Sequence, residues 1–166
     1  MQLFQRRRWV DPHRLVEGHA AFVRQLAWID AHTGMEMAGW RLSDSERPGA
    51  ILATTTYDDY NWFLAEKDYL QTLPDYSPVN DAAAALTIGE DTFERWNTLE
   101  DLPPEWRLKG AFWQVTAPNG TECLGEDVTQ WANVEGAVNC TTWLLSHDGS
   151  PSKTPDSRIE RWEQIH

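Results

Sequence analysis

The chain has 166 residues, and its 26 acidic and 14 basic side chains give it a net charge of −12 at pH 7. This length predicts one domain, residues 1–166, with one hydrophobic core. Because 41% of the residues are apolar but no apolar run is long enough for a membrane helix, the composition excludes disordered and membrane-spanning proteins. The start of the sequence lacks the apolar segment of a signal peptide, so we expect a cytoplasmic protein.

The first 42 residues predict a strand, a long helix and a second strand. Residues 2–9 have the pattern of an edge strand whose exposed positions carry arginine. Asp11 and Pro12 are typical of a helix start, and apolar residues at spacings of three and four extend this helix over residues 11–32. A short strand over residues 37–42 follows.

The middle of the chain is less regular. We predict a second helix over residues 56–73, which Thr56 caps and Pro74 ends. Residues 83–88 favour a strand, and residues 91–96 favour a short helix. These elements would place two helices before the part of the chain that is richest in strand patterns.

The last third favours strands over residues 111–116, 121–124 and 138–145, and a closing segment, 158–165, that is either a strand or a short helix. We therefore predict an α+β fold with an antiparallel sheet drawn mostly from the second half of the chain. The long N-terminal helix packs on one face of this sheet, and the 56–73 helix lies nearby. The strand order does not follow from the pattern.

The negative charge is concentrated in the middle of the chain. Residues 44–148 contain 19 acidic and five basic side chains, a net charge of −14. Such a field repels nucleic acids and anionic membranes and favours association with a basic protein surface. The alternative is that the acidic surface serves only solubility.

Tryptophan is the second unusual feature, because ten indole rings exceed what one small core holds comfortably. A tryptophan buries on the order of 200 Å² and carries an N–H group that needs a partner. We therefore expect some of the ten to lie half-exposed as anchors for a binding partner. They stand at positions 9, 28, 40, 62, 96, 106, 113, 131, 143 and 162.

No motif of a known catalytic type is present, since the sequence lacks a phosphate-binding glycine loop, a zinc-protease motif, a nucleophile elbow and a CxxC pair. The five histidines lack the spacing of metal ligands, and neighbouring acidic residues point in two directions. We predict no enzymatic activity, no catalytic residue, no metal and no cofactor. Cys123 and Cys140 are expected as free thiols, with a disulfide as the alternative.

Residues 7–50 resemble a family of bacterial proteins. The resemblance is carried by Arg7-Arg8-Trp9, Leu15, the run from Ala20 to Asp30, and Gly39-Trp40-Arg41-Leu42 with the loop from Ser43 to Arg47. This part of the chain is similar to the start of the immunity protein 52 family, which neutralises polymorphic toxins in bacterial competition. The resemblance implies a non-catalytic cytoplasmic protein that binds a cognate toxin, often one delivered by a type VI secretion system, and nucleases are among these toxins.

The charge fits that implication, because a nuclease presents a basic groove that a polyanion can fill. We expect the protein to occlude the active site of a basic toxin, with aromatic anchors among carboxylates. The candidate toxin-binding residues combine both types, and they are Tyr57, Asp58, Asp59, Trp62, Glu66 and Tyr76, followed by Glu90, Asp91 and Glu94.

Two other classes of function stay open. One is a phage-type inhibitor of restriction or CRISPR enzymes that mimics DNA, which the acidic charge also fits. The other is a small-ligand-binding protein or enzyme with an aromatic-lined pocket. It would show a deep cavity with convergent polar groups.

Overall fold

The computed structural model describes residues 1–43, 48–119, 121, 128–136, 140–145, 151 and 156–166. The strands of this part of the chain are β1 (Gln2–Val10), β2 (Ala38–Leu42), β3 (Ala50–Tyr57), β4 (Thr87–Thr98), β5 (Ala111–Pro118), β6 (Val128–Glu135), β7 (Cys140–Leu145) and β8 (Arg158–Gln164). Its α-helices are α1 (Leu15–His32), α2 (Tyr60–Thr72) and α3 (Tyr76–Ala84).

All eight strands pair antiparallel in one closed barrel, in the order β1-β3-β2-β8-β5-β7-β6-β4 around the ring. The ring contains two halves, β4-β1-β3-β2 and β8-β5-β7-β6. In each half, the strand that comes first in the sequence lies between the third and the fourth. This is the strand order of a split βαβ unit. Within the described residues, the helices all belong to the first half, with α1 after β1 and α2 and α3 after β3.

The strands send alternate side chains to the barrel interior and to its outer face. The interior is filled mainly by large rings, since Phe112 and four indoles meet there with Leu3, Leu52 and Leu144. These four tryptophans are fully buried, and they are Trp40, Trp96, Trp131 and Trp162. A closed ring of strands therefore uses these tryptophans as its core.

Two pairs of polar side chains meet inside the barrel. The Arg7 guanidinium donates two hydrogen bonds to the Glu160 carboxylate, at 2.8 and 2.7 Å, and each side chain is only 10% exposed. Gln5 and Gln114 exchange amide hydrogen bonds across the interior, at 3.3 and 3.2 Å. Such pairing offsets the cost of removing charged and polar groups from water.

Helix α1 packs on the outer face of the first half. Asp11 caps the preceding turn by accepting a hydrogen bond from the backbone N–H of His13 at 2.9 Å, as the sequence predicts. The approach to the sheet is close, because a Cβ atom added at Gly18 would lie 2.2 Å from Val10, and one at Gly39 would lie 2.7 Å from Leu26. Larger residues at either position would push α1 away from the strands.

The predicted α+β class, the antiparallel sheet and the long N-terminal helix on one face are confirmed. The sheet is not drawn mostly from the second half, since β1 to β4 supply half of the strands and the sheet closes into a barrel. Strand β1 is not an edge strand either, because it lies between β3 and β4. Arg7 and Arg8 are buried there because each reaches a carboxylate.

The middle of the chain differs most from the prediction. Residues 76–84 form α3, whose end overlaps the strand predicted over residues 83–88, and residues 91–96 belong to β4 rather than to a helix. Residues 56 and 57 continue β3, so Asp59 caps α2 instead of Thr56. The closing segment is a strand, β8, and neither β3 nor β6 was predicted. The strand predicted over residues 121–124 lies almost entirely outside the described residues.

Candidate functional site

A cavity of about 240 Å³ lies between the outer face of the sheet and the three helices. Outward-facing side chains of β1, β3 and β4 form its floor, and side chains of α1, α2 and α3 form its walls. Met35 and Met37, which follow α1, complete the lining. This cavity is separate from the barrel interior, because the sheet lies between the two.

Most of the cavity lining is apolar. The Phe4 ring lies on the floor, with its centroid 5.1 Å from that of Phe63 and 6.1 Å from that of Phe93. Tyr76 adds a further ring from the start of α3. The remaining apolar lining is aliphatic except for one phenylalanine, and it comprises Phe22, Leu26, Ile29, Met35, Met37, Ala53 and Leu70. A surface of this kind accepts an apolar ligand and excludes water.

A hydrogen-bonded network stands beside the cavity. Arg8 donates from Nη1 to Oε1 of Gln25 at 2.9 Å, and Gln25 donates from Nε2 to Oδ1 of Asn80 at 2.9 Å. Arg6 and Arg8 both donate to the Asp91 carboxylate, at 2.8 Å from Nε of Arg6 and 3.0 Å from Nε of Arg8. Two guanidinium groups therefore share one carboxylate. The network also fixes the amides of Gln25 and Asn80, which line the cavity.

Two further polar groups line the cavity without a hydrogen bond or ion pair to the described residues, Thr55 and Lys67. Thr55 is 3% exposed, and its Oγ1 is buried without a partner. The Nζ of Lys67 lies 5.9 Å from the Phe4 ring centroid and 5.6 Å from that of Phe63. An unpartnered buried hydroxyl is costly, so Thr55 supplies a donor beside the cavity that no described residue uses.

Tyr57 packs next to the cavity and stacks on Phe63, with ring centroids 4.4 Å apart and an interplanar angle of 4°. Burial raises the pKa of Tyr57 to about 12, and the nearby Arg95 guanidinium offsets part of that effect. The hydroxyl is therefore protonated at neutral pH. Its ring contributes packing beneath α2.

Four of the predicted site residues lie at the start of α2 or along it. Asp58 is exposed and lies 3.4 Å from the N-terminal amine of Met1, and Asp59 caps the helix. Trp62 is 36% exposed. Glu66 accepts a hydrogen bond from the backbone N–H of Gly34 at 2.9 Å, which ties α2 to the end of α1.

The other five predicted residues do not form one surface with these. Tyr57 and Tyr76 lie in the cluster between α2 and the sheet, and Asp91 binds the two arginines beside the cavity. Glu90 is exposed on β4. Glu94 is mostly buried, and its Oε1 lies 3.8 Å from Nη2 of Arg158, which belongs to the second half of the barrel.

The sequence reasoning missed the residues that shape the cavity: Arg6, Gln25, Thr55, Lys67 and Asn80. One signal was available, because Gln25 lies three residues after Phe22 and four before Ile29. It therefore shares the buried face of α1, and a buried amide on an apolar helix face needs a polar partner. The other residues meet only after three helices have packed on the sheet.

Among the described residues, no group of three or more histidine, cysteine, aspartate or glutamate side chains is placed to hold a metal ion. In the same part of the chain, no helix combines the length and the apolar character needed to cross a membrane.

The chain shares its fold with a proposed monooxygenase from Lactobacillus acidophilus, with a TM-score of 0.58 over 98% of this chain and 93% of that chain, at 7% sequence identity. SnoaB, a cofactor-independent oxygenase from Streptomyces nogalater, matches with a TM-score of 0.44 over 63% of this chain and 97% of its own, at 19% identity. A proposed chlorite dismutase matches with a TM-score of 0.48 over 100% of this chain and 96% of its own, at 8% identity. No protein-family profile and no curated protein matches the chain.

The predicted function, a toxin-neutralising immunity protein associated with type VI secretion, is wrong, and so is the prediction that the chain is not an enzyme. Both are overturned by the fold, which over nearly the whole chain is that of a proposed monooxygenase. The alternative of a small-ligand-binding protein or enzyme with an aromatic-lined pocket agrees with the cavity. The likeness of residues 7–50 to the immunity protein 52 family stays a prediction. The comparisons show that this chain has the barrel fold of the Lactobacillus acidophilus protein.

Proposed function

We propose that the protein is an enzyme that binds one small apolar organic molecule in the cavity between helices and sheet and oxygenates it. The observation that carries this proposal is the cavity itself, which is apolar, lined by rings and supplied with fixed polar groups. Small-molecule sites have this composition. Oxygenation is the reaction to test first, because the Lactobacillus acidophilus protein that shares the fold is described as a monooxygenase.

The size of the cavity limits the substrate. An engineered apolar cavity of about 150 Å³ binds benzene in another protein, whereas typical drug-sized pockets measure about 300–1,000 Å³. The 240 Å³ observed here lies between these values and suits a molecule of about two fused rings. Dioxygen is itself an apolar gas, and dry apolar cavities accept such gases.

The residues of the chain would bind and orient the substrate. A flat molecule would pack against the Phe4 and Phe63 rings, while the Gln25 and Asn80 amides would orient polar atoms of the substrate. Oxygenation balances without a separate reductant when a substrate methylene becomes a carbonyl, because its two hydrogens leave with the second oxygen atom as water. Substrates with an activated methylene group are therefore the first ones to test.

The experiment measures oxygen consumption by the purified protein with a panel of two-ring compounds that carry an activated methylene. We expect uptake with at least one compound, and incorporation of one atom from isotopically heavy dioxygen into the product. Ala53→Leu, which fills the cavity floor, should lower the rate at least about tenfold, since the substrate loses its space. Ala65→Leu on the exposed side of α2 is the matched control and should leave the rate unchanged.

Binding of the panel without oxygen uptake would overturn the oxygenase assignment. Uptake that Ala53→Leu does not change would overturn the assignment of the cavity as the site.

A further inference from the structure

The charges that line the cavity are of one sign. Its lining contains two charged residues, Arg6 and Lys67, and both are basic. This is unexpected in a chain with 26 acidic and 14 basic residues. The adjoining Asp91 carboxylate is shared between Arg6 and Arg8, so it does not balance both of them. The cavity is therefore a positive region in a negative protein, which favours an anionic ligand.

Lys67 is the basic group left for such a ligand. Arg6 is held by Asp91, whereas Lys67 has no hydrogen bond or ion pair with the described residues. Its ammonium group lies near Phe4 and Phe63, at the edge of the cavity. Lys67 is exposed, and cation–π attraction at such a site is worth about 0.5–1 kcal/mol, so its three N–H donors can exchange water for an anionic ligand.

Thr55 gives a second, independent indication, and it neighbours the same phenylalanine. It is directly opposite Phe4 in the register of β3 and β1. The Thr55 hydroxyl is buried and unpartnered, and Thr55 lines the cavity. The ammonium group lies 5.9 Å from the Phe4 ring centroid, and the hydroxyl belongs to the residue paired with Phe4, so both are available to an oxygen placed near that ring.

We propose that the ligand of this cavity is an amphipathic anion, with its apolar body among the phenylalanines and an anionic oxygen bound by Lys67 and Thr55. The oxygen belongs to a carboxylate or to an ionised aromatic hydroxyl. This inference rests on the proposed function in one respect, the use of the cavity as the ligand site.

The test compares two probes of the same shape by isothermal titration calorimetry, 2-naphthoate and its neutral amide, 2-naphthamide. We expect the wild-type protein to bind the carboxylate about tenfold more tightly than the amide. Lys67→Met keeps the methylene stem and removes the charge, so it should weaken binding of the carboxylate about five- to tenfold and change amide binding less than about twofold. Thr55→Val should weaken carboxylate binding by about threefold.

Lys109→Met is the matched control, since Lys109 is exposed and lies outside this cavity. It should leave the affinity for both probes unchanged. Circular dichroism and thermal melting establish that each variant is folded. A nitronaphthol, which is ionised at neutral pH, distinguishes the two sources of the anionic oxygen: tighter binding than naphthoate assigns an ionised hydroxyl, and weaker binding assigns a carboxylate.

Equal binding of naphthoate and naphthamide to the wild-type protein would overturn this inference and leave the cavity as a site for neutral ligands. The same loss in Lys67→Met and Lys109→Met would also overturn it, because the effect would then come from overall charge. Failure of both probes to bind would overturn the ligand site on which this inference and the proposed function both rest.

Discussion

The two faces of the first four strands are used in opposite ways. Inward-facing side chains meet in the barrel interior, where four tryptophans and the Arg7–Glu160 pair are buried. Outward-facing side chains of the same strands leave a cavity of about 240 Å³ beneath the helices. The alternation of side chains along these strands thus supplies both the barrel core and the face on which the cavity lies. The interior packs the barrel, whereas the outer face leaves the space that the proposed function assigns to a ligand.

The largest effect is expected inside the barrel, at Glu160. Glu160→Ala leaves the Arg7 guanidinium buried without its carboxylate and should lower the free energy of unfolding by about 3–5 kcal/mol. Urea unfolding followed by circular dichroism measures this change.

The matched control is Glu17→Ala, because the Arg14–Glu17 pair is exposed, with side chains 47% and 63% accessible. This variant should lose less than about 0.5 kcal/mol. A loss below about 1 kcal/mol for Glu160→Ala would show that the interior pair contributes no more than a surface pair.

A smaller effect should separate the two faces of β3. Ala50 and Ala53 are 1% and 2% exposed, but Ala50 packs in the interior cluster and Ala53 lines the cavity. Ala50→Leu should cost about 1–3 kcal/mol because it overfills a packed core. Ala53→Leu should cost less than about 1 kcal/mol, since the cavity has room for the added methyl groups. Equal losses in urea unfolding would contradict the distinction between the two faces.

The smallest expected effect is a change in the free energy of unfolding at alkaline pH, caused by Tyr57 and absent at neutral pH. Its pKa is raised to about 12 in the folded protein, mainly by burial, against an ordinary value of 10. Between these values the folded state holds a proton that the unfolded state has lost, so stability should fall as pH rises from 10 to 12. Tyr57→Phe should make this alkaline loss shallower, as measured by urea unfolding at several pH values. Tyr69→Phe, at a residue 49% exposed, is the matched control.

Local patterns account for the elements that the sequence predicted well. The N-terminal helix could be located because Asp11 and Pro12 mark its start and apolar residues follow at helical spacing. Strands β1, β2, β5 and β7 could be located because each is a short run that contains aromatic or β-branched residues. These signals arise within a few residues of one another, and no distant contact is needed to interpret them.

Strand β4 shows where local patterns fail. Its sequence is rich in charged and polar residues, and Asp91 resembles a helix cap. The strand forms because it pairs along its length with β1, about 90 residues earlier in the chain. Arg6 and Arg8 bind Asp91, and Arg158 lies near Glu94, so its acidic side chains are accommodated on both faces. Tertiary pairing outweighs the local preference here.

The candidate site was missed for a related reason. The ten tryptophans appeared too many for one core, because a single sheet packed on helices has only one buried layer. Closure of the barrel adds a second buried region, the barrel interior, which holds four of the ten tryptophans. The cavity depends in turn on α3, which the sequence did not predict. Tyr76 and Asn80 reach the site from that helix.

The distribution of the indole rings gives the protein two separate optical signals. The four tryptophans inside the barrel are screened from water, so their emission should be blue-shifted and resistant to acrylamide quenching. Trp62 is accessible, and Trp28 lies 6.2 Å from the cavity-lining Tyr76, measured between ring centroids. Occupation of the cavity should therefore change the red, quenchable part of the spectrum, while loss of the barrel changes the blue part.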